Sequence, residues 1–201
     1  MDASPVEIRV LGCLIEKQRT TPDAYPLTLN ALRAACNQTT NRDPVVSYDD
    51  ETIRAALHRL VQHKWARLAS GPGSRAVKYR HLLDEALGVA DGELAVLCVL
   101  MLRGAQTPGE LKARTDRMQS FGSLAEVYET LEGLITRELV ARLPRGPGQK
   151  EERYLQLLGG DEAAPAADRE PAAGDDIEAR LTRLEDEVAA LRQALESLQR
   201  D

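Results

Sequence analysis

Residues 49–81 read DDETIRAALHRLVQHKWARLASGPGSRAVKYRH and carry the main fold signal of the chain. Apolar residues recur on one helical face over the first half, which predicts a helix beginning near Asp49; they are Ile53, Leu57, Leu60 and Val61. A short strand at 65–68, a Gly-Pro-Gly-Ser turn at 71–74 and a return strand at 77–81 follow. The stretch therefore predicts a helix followed by a β-hairpin.

The same pattern recurs at residues 123–158. The helix of this second stretch is predicted to bury Leu124, Val127, Leu131, Leu134 and Ile135, and the last four align with the apolar positions of the first helix at an offset of 74. The hairpins align at an offset of 75. Residues 66–68 thereby match 141–143, and the Gly-Pro-Gly turn at 71–73 matches that at 146–148. An internal repeat of this kind indicates two copies of one structural unit.

Two further helices are predicted ahead of each hairpin helix. In the first copy they begin at a capping box formed by Ser4 and Glu7 and at Thr28, and in the second they cover 91–103 and 107–115. Three helices followed by a two-stranded hairpin is the winged-helix arrangement. We therefore predict a mainly α protein with small β-hairpins (α+β), with tandem winged-helix domains at residues 1–84 and 88–158. Two unrelated small domains would not explain the shared spacing.

The C-terminal region has a different pattern. Residues 159–175 are rich in Ala, Pro, Gly and acids, which predicts a flexible linker. Residues 176–200 carry a heptad repeat, which predicts a coiled-coil helix and a homodimer, with Glu187 facing Arg192 in a parallel pair. The alternative is a lone amphipathic helix that folds back onto the winged helices. The predicted seam is Ile177, Leu181, Leu184, Val188, Leu191, Leu195 and Leu198.

Composition limits the classes of function. The chain has 201 residues, 43% of them apolar, and a net charge of −6, so the whole chain does not coat nucleic acid through bulk charge. Residues 1–81 nevertheless hold 12 Lys and Arg against 8 Asp and Glu, a net charge of +4. The three dispersed cysteines predict buried thiols in a reducing compartment. With no secretory signal and no long apolar run, we expect a cytoplasmic protein without a membrane partner.

No pattern typical of an enzyme is present. His58 and His63 lie five positions apart on a predicted helix and cannot face one metal ion, and phosphate-binding and nucleophile motifs are absent from the sequence. We therefore expect a non-catalytic protein with no cofactor and no metal.

A winged helix usually places its third helix in the major groove of DNA and its wing on phosphate. The first copy offers polar and basic side chains for this role, whereas three acidic residues at 49–51 and a long loop at 37–48 oppose that geometry. In the second copy the corresponding helix displays Glu126, Glu129 and Glu132, which predicts a protein contact there instead. The candidate DNA contacts are Arg42, Arg54, His58, Arg59, Gln62, Arg75, Lys78 and Arg80.

Four segments resemble the bacterial YceH family. They are GCLIEKQ at 12–18, TPDAYPL at 21–27, CNQ at 36–38 with NRDPV at 41–45, and LRGAQTPGEL at 102–111. The resemblance covers nearly the whole chain and implies tandem winged helices in a bacterial cytoplasmic protein. It assigns no catalytic residue, ligand or DNA site to this chain.

Two functions from different classes are compatible with the sequence. One is a dimeric, double-stranded DNA-binding protein of transcription-regulator type, in which the first domain docks on DNA. The other is an interaction scaffold that binds protein through its winged-helix surfaces. The winged-helix fold alone does not decide between them.

Overall fold

Three helices and a small sheet make up the first third of the protein. The structure, a computed structural model, describes residues 3–69, 76–145 and 151–159. The predicted capping box is present, because the Ser4 amide donates to Glu7 Oε2 (2.9 Å) and the Glu7 amide donates to Ser4 Oγ (3.4 Å). The elements are α1 (Pro5–Thr20), a 3₁₀ turn (Pro22–Ala24), β1 (Leu27–Thr28), α2 (Leu29–Cys36), α3 (Asp50–Gln62), β2 (Ala66–Leu68) and β3 (Lys78–His81).

The strands form a three-stranded antiparallel sheet in the order β1-β3-β2. Leu27 lies opposite Tyr79 on one side of β3, and Leu68 lies opposite Tyr79 on the other. The backbone amide of His81 donates to the Tyr25 hydroxyl (2.8 Å), which ties β3 to the turn after α1. The predicted hairpin is confirmed, and β1 is an additional strand that the sequence pattern did not indicate.

The second copy repeats this order. The short helix α4 (Leu83–Leu87) spans the predicted domain boundary, and its Leu83 is fully buried. An isolated bridge between Gln106 and Tyr154 occupies the place that β1 and β3 hold in the first copy. The remaining elements are α5 (Asp91–Arg103), α6 (Pro108–Thr115), α7 (Leu124–Thr136), β4 (Val140–Leu143) and β5 (Arg153–Gln156).

The two copies share one hydrophobic core. All residues from Leu94 to Leu102 on α5 are buried, so this helix is enclosed on every side, as its nearly all-round apolar sequence predicts. It packs directly against α1, where a Cβ on Gly12 would lie only 2.9 Å from Leu102 Cδ2. The described part of the chain is therefore a mixed α+β protein in which helices dominate and the antiparallel sheets are small.

The long loop between α2 and α3 is a packed element. Its ends are closed by Asn37, whose side-chain amide donates to the Tyr48 carbonyl (2.8 Å) and accepts from the Tyr48 amide (2.9 Å). The Asp43 amide donates to the Leu102 carbonyl (2.9 Å), so the middle of the loop contacts α5. Buried Arg9 donates to the Pro44 carbonyl (2.7 Å) from α1. The extra length thus joins the two copies.

The structural equivalence of the two copies corrects one detail of the predicted alignment. The first hairpin strand follows the helix offset of 74, since Ala66 pairs with His81 where Val140 pairs with Gln156. Lys64 and Glu138, also 74 apart, both have positive φ at the helix-to-strand turn. Only the second strand is offset by 75, so the additional residue falls between the strands. The predicted match of 66–68 to 141–143 is therefore one residue out of register.

A second correction concerns Leu124. Its spacing predicts a core position, but the residue is 41% exposed. Leu124 is the first residue of α7 and precedes Val127, the first residue of this helix that is buried. The corresponding residue of the first copy is the polar Asp50. The predicted linker, the coiled-coil seam and Arg75 lie outside the described residues.

Candidate nucleic-acid interface

One face of α3 is polar and open to solvent. The opposite face packs into the core through Ile53, Leu57 and Leu60. Arg54, His58 and Gln62 are exposed, as predicted, and their i, i+4, i+8 spacing places them in one row along the helix. The Gln62 amide nitrogen lies 3.0 Å from His58 Nε2, which orients the last two members of this row. We call Arg54, His58 and Gln62 the α3 row.

Arg59 lies beside the α3 row but has a structural partner. Its Nε pairs with Oε1 of Glu7, a buried carboxylate on α1. The Arg59 side chain remains 48% exposed, so part of its guanidinium faces solvent. Removing Arg59 would leave the Glu7 carboxylate buried without this cation, and such a loss destabilises proteins. Arg54 is therefore the cleaner residue for a binding test.

Two of the three acidic residues at the start of α3 have partners within the protein. Asp49 is the N-cap, and its Oδ1 accepts from the Thr52 amide (2.8 Å); this bond lowers the pKa of Asp49. Asp50 pairs with Arg33 of α2, with 2.9 Å between Nη1 and Oδ1. Two of the three acids predicted to repel phosphate thus have hydrogen-bond or ion-pair partners, and Glu51 is exposed.

The hairpin carries further cations next to α3. Arg80 on β3 donates to Glu85 (3.0 Å), and Lys78 at the start of β3 is partly buried. Arg67 on β2 lies opposite Arg80 in the strand register and is exposed. Sequence reasoning missed Arg67, because alternation within a three-residue strand is too short to show which side faces solvent.

Arg42 is placed differently from the other candidates. Its side chain is fully buried and forms a two-point ion pair with Glu16, with 3.0 Å from Nη1 to Oε1 and 2.6 Å from Nη2 to Oε2. It also donates to the Ala35 carbonyl (3.1 Å) and to Gln38 Oε1 (2.6 Å). These contacts of the guanidinium hold the long loop against α1 and α2. Arg42 is therefore not part of the exposed surface. A buried polar role was not visible from its position in a loop.

The second copy presents a different surface at the equivalent helix. Tyr128, Glu132 and Thr136 occupy the positions of the α3 row. Tyr128 and Leu124, one turn apart, are 43% and 41% exposed. Glu132 pairs with Arg142 of β4, so its charge is directed to the neighbouring strand. The second copy therefore combines exposed apolar groups with acids where the first copy is basic and polar.

Other site chemistry is limited in the described ranges. Within 3–69, 76–145 and 151–159, no group of three His, Cys, Asp or Glu residues is placed to hold a metal ion. In the same part of the chain, every helix is too short or too polar to cross a bilayer. The three cysteines are buried and free, as predicted, and Cys98 Sγ lies 3.3 Å from the Gly12 carbonyl.

These features define a class: an α+β protein with two copies of a three-helix and hairpin unit, of which the first displays a basic, polar helix face. The chain belongs to the family described as "Protein of unknown function, DUF480", whose model matches residues 3–149. It is 50% identical over 192 residues to a UPF0502 protein of Opitutus terrae, covering 94% of this chain and 83% of that protein. It is 49% identical to a UPF0502 protein of Pelobacter propionicus over 96% of this chain and 92% of the relative. Identity to the UPF0502 protein YceH of Escherichia fergusonii is 44%, with coverage of 96% and 94%.

Proposed function

We propose that the protein is a DNA-binding protein of the transcription-regulator type, dimeric and non-catalytic. It binds duplex DNA through the first of two tandem winged helices. The third helix of that unit, α3, enters the major groove, and the hairpin β2–β3 contacts the phosphate backbone. The C-terminal heptads pair two chains in a parallel coiled coil. Two copies of the reading helix then meet two half-sites of a palindromic sequence.

The contrast between α3 and α7 carries this proposal. Both helices occupy the same place in the same unit, yet the row Arg54, His58 and Gln62 corresponds to Tyr128, Glu132 and Thr136. Arginine and glutamine side chains donate to base edges and phosphates, whereas a carboxylate repels phosphate. Basic and polar residues in the exposed row of α3, over a buried apolar face that matches that of α7, support a role of the first copy in nucleic-acid contact.

Charge outside the helix supports the same orientation. Arg67 adds an exposed cation on the hairpin, and Lys78 and Arg80 lie on the adjoining strand. Asp50 is paired with Arg33, which offsets its repulsion of a phosphate, whereas Asp49 remains an anion that caps the helix. Arg75 remains a candidate contact from the sequence. Arg42, buried on Glu16, is omitted from the interface.

The test is a binding titration of the full chain with random-sequence and selected duplex DNA at several salt concentrations. The Arg54→Gln, Arg67→Gln double variant should weaken binding tenfold or more. It should also reduce the slope of log K against log salt by about 1, because Arg67 on the hairpin is the phosphate contact of the two and each lost phosphate contact removes about one unit. The matched control, Lys112→Gln with Arg145→Gln, removes the same charge from the second copy and should bind like the parent. Equal affinity of both double variants would overturn the proposal.

A protein-binding scaffold is the second candidate function, and the exposed pair Leu124 and Tyr128 favours it. Large apolar side chains one turn apart on a solvent-facing helix are typical of helix-mediated protein contacts. If the full chain fails to bind duplex DNA even at low salt, a defined protein partner should be sought. Its binding should be abolished by Leu124→Asp and unaffected by Arg54→Gln. A partner that binds both variants equally would exclude α7 as the contact surface.

A further inference from the structure

A cleft of about 320 Å³ lies where the C-terminal parts of α1 and α5 meet α6. Four cationic side chains line it: Lys17 from α1, Arg103 from α5, Arg114 from α6, and Arg117 just after α6. The lining contains one acid, Glu16. We call this feature the basic cleft.

The acids near the basic cleft are already engaged. Glu16 holds buried Arg42 in a two-point ion pair and also lies 3.4 Å from Lys17 Nζ. Glu110 lies 3.3 Å from Arg114 and, through its other oxygen, 3.2 Å from Arg153. Each of these two carboxylates therefore pairs with two cations: Glu16 with Arg42 and Lys17, and Glu110 with Arg114 and Arg153.

Arg103 and Arg117 are not neutralised by a carboxylate in the described residues. Arg103 donates to the neutral side-chain oxygen of Asn41. Arg117 is exposed and has no ion-pair partner in the described ranges. Burial, followed by repulsion from Arg114 and Arg42, lowers the pKa of Arg103, as expected where cations crowd together.

Helix dipoles account for only part of this charge. Lys17, Arg103 and Arg114 lie in last turns, where a cation is favoured by about 0.3–1 kcal/mol. Arg117 lies beyond α6 and has no such role. Three helix ends therefore account for three of the four cations and leave Arg117 without a helix-dipole role.

The basic cleft is separate from the α3 row. Arg59, beside that row, contacts α1 at Glu7, whereas the cleft contacts α1 at Lys17, ten residues further along. At 1.5 Å per residue, the two positions lie about 15 Å apart along the helix. A ligand in the cleft therefore occupies its own site.

We propose that the basic cleft binds a small molecule that carries two or more phosphate groups. Guanidinium groups match phosphate oxygens with two parallel hydrogen bonds, and three of them converge here. The surplus of cations favours a multiply charged anion over a single carboxylate. The volume lies at the lower end of ligand pockets, which suits a small molecule rather than a polymer. Gln38 and Asn41 also line the cleft; their side-chain oxygens accept from Arg42 and Arg103, which leaves their amide nitrogens as further donors to a phosphate.

Inorganic pyrophosphate is the probe for this site. Calorimetric titration of the full chain should show saturable binding, and pyrophosphate should raise the melting temperature more than malonate at equal ionic strength. Arg117→Gln, which touches no structural partner in the described residues, should weaken pyrophosphate binding at least fivefold. Arg103→Gln with Arg117→Gln should weaken it further. The control Arg54→Gln with Arg67→Gln should leave the affinity unchanged.

Three results would overturn the proposal. The first is the absence of binding at millimolar pyrophosphate. The second is equal affinity of the parent and the Arg117→Gln variant. The third is displacement of pyrophosphate by duplex DNA together with loss of DNA binding in Arg117→Gln, which would make the cleft part of a nucleic-acid surface. Failure of the DNA experiment on Arg54 and Arg67 leaves this titration unaffected, so the two proposals are tested separately.

Discussion

His81 shows how a single buried side chain links the protein to pH. It is 1% exposed, its Nδ1 accepts from the Leu83 amide (3.4 Å), and its Nε2 contacts Gln18 Oε1 (2.5 Å). Burial lowers the pKa of His81 to about 4, against an opposing contribution from Asp84. The folded protein therefore favours the neutral imidazole of His81 over the protonated, charged form.

The expected pH effect follows from linkage. Between pH 6.5 and about 4 the unfolded chain binds a proton at His81 and the folded chain does not, so stability falls as pH falls through this window. The free energy of unfolding falls by about 1.4 kcal/mol per pH unit within this window, and the decrease ends below the pKa of the folded state. In urea unfolding, His81→Gln should flatten the stability profile over this window relative to the parent. Parallel profiles would show that His81 does not titrate in this way.

Arg42 is expected to act on stability. Its replacement by Gln removes the cation from Glu16 and frees the long loop from α2, which should cost about 2–4 kcal/mol in urea unfolding. Arg42→Lys should recover little of this, because an ammonium cannot reproduce a planar two-point contact. The matched exposed variant, Arg54→Gln, should change stability by less than about 0.5 kcal/mol. If Arg42→Gln proved as stable as Arg54→Gln, the structural role assigned to Arg42 would be wrong.

At the scale of elements, the sequence predicted those helices and hairpins that are specified by local patterns. Capping residues and apolar periodicity located the major helices α1–α3 and α5–α7, and the turn residues between apolar runs located both hairpins. It did not predict β1 (Leu27–Thr28), because a two-residue strand exists only through its pairing with β3. The packed loop between α2 and α3 was likewise invisible, since Arg9 and Arg42 hold it through carbonyl and carboxylate contacts distant in sequence.

The candidate sites divide along the same line. Exposure of the α3 row followed from helical periodicity, because one helix supplies all its members. The basic cleft gathers Lys17, Arg103, Arg114 and Arg117 from α1, α5 and the α6 region, and no local pattern connects them. Only the close crossing of α1 and α5 brings them together.

The crossing itself depends on Gly12. A Cβ there would lie 2.9 Å from Leu102 Cδ2 and 3.2 Å from Met101 Cβ, so a side chain would push α1 from α5. Gly12→Val should lower the free energy of unfolding by about 2 kcal/mol or more through overpacking. Gly109 on α6 has open space around its Cβ position, so Gly109→Val is the control and should be nearly neutral. Similar thermal stability of both variants would argue against the tight crossing.

For the whole molecule, the heptads of the C-terminal region should determine oligomeric state. Leu184→Asp with Leu191→Asp places two charges on the predicted seam and should convert a dimer into a monomer of unchanged globular stability. Light scattering coupled to size exclusion measures the mass directly. Thr182→Asp with Ala189→Asp adds the same charge away from the seam and should leave the dimer intact. An unchanged mass in the Leu184 and Leu191 variant would refute the coiled-coil dimer.

The most direct test locates duplex DNA on the full chain by nuclear magnetic resonance, following backbone amide shifts during a titration at low salt. We expect shifts concentrated in α3 and in the β2–β3 hairpin, with α7 unchanged. Equal shifts at α3 and α7, shifts confined to α7, or none at all would contradict a division of labour in which the first copy alone contacts DNA.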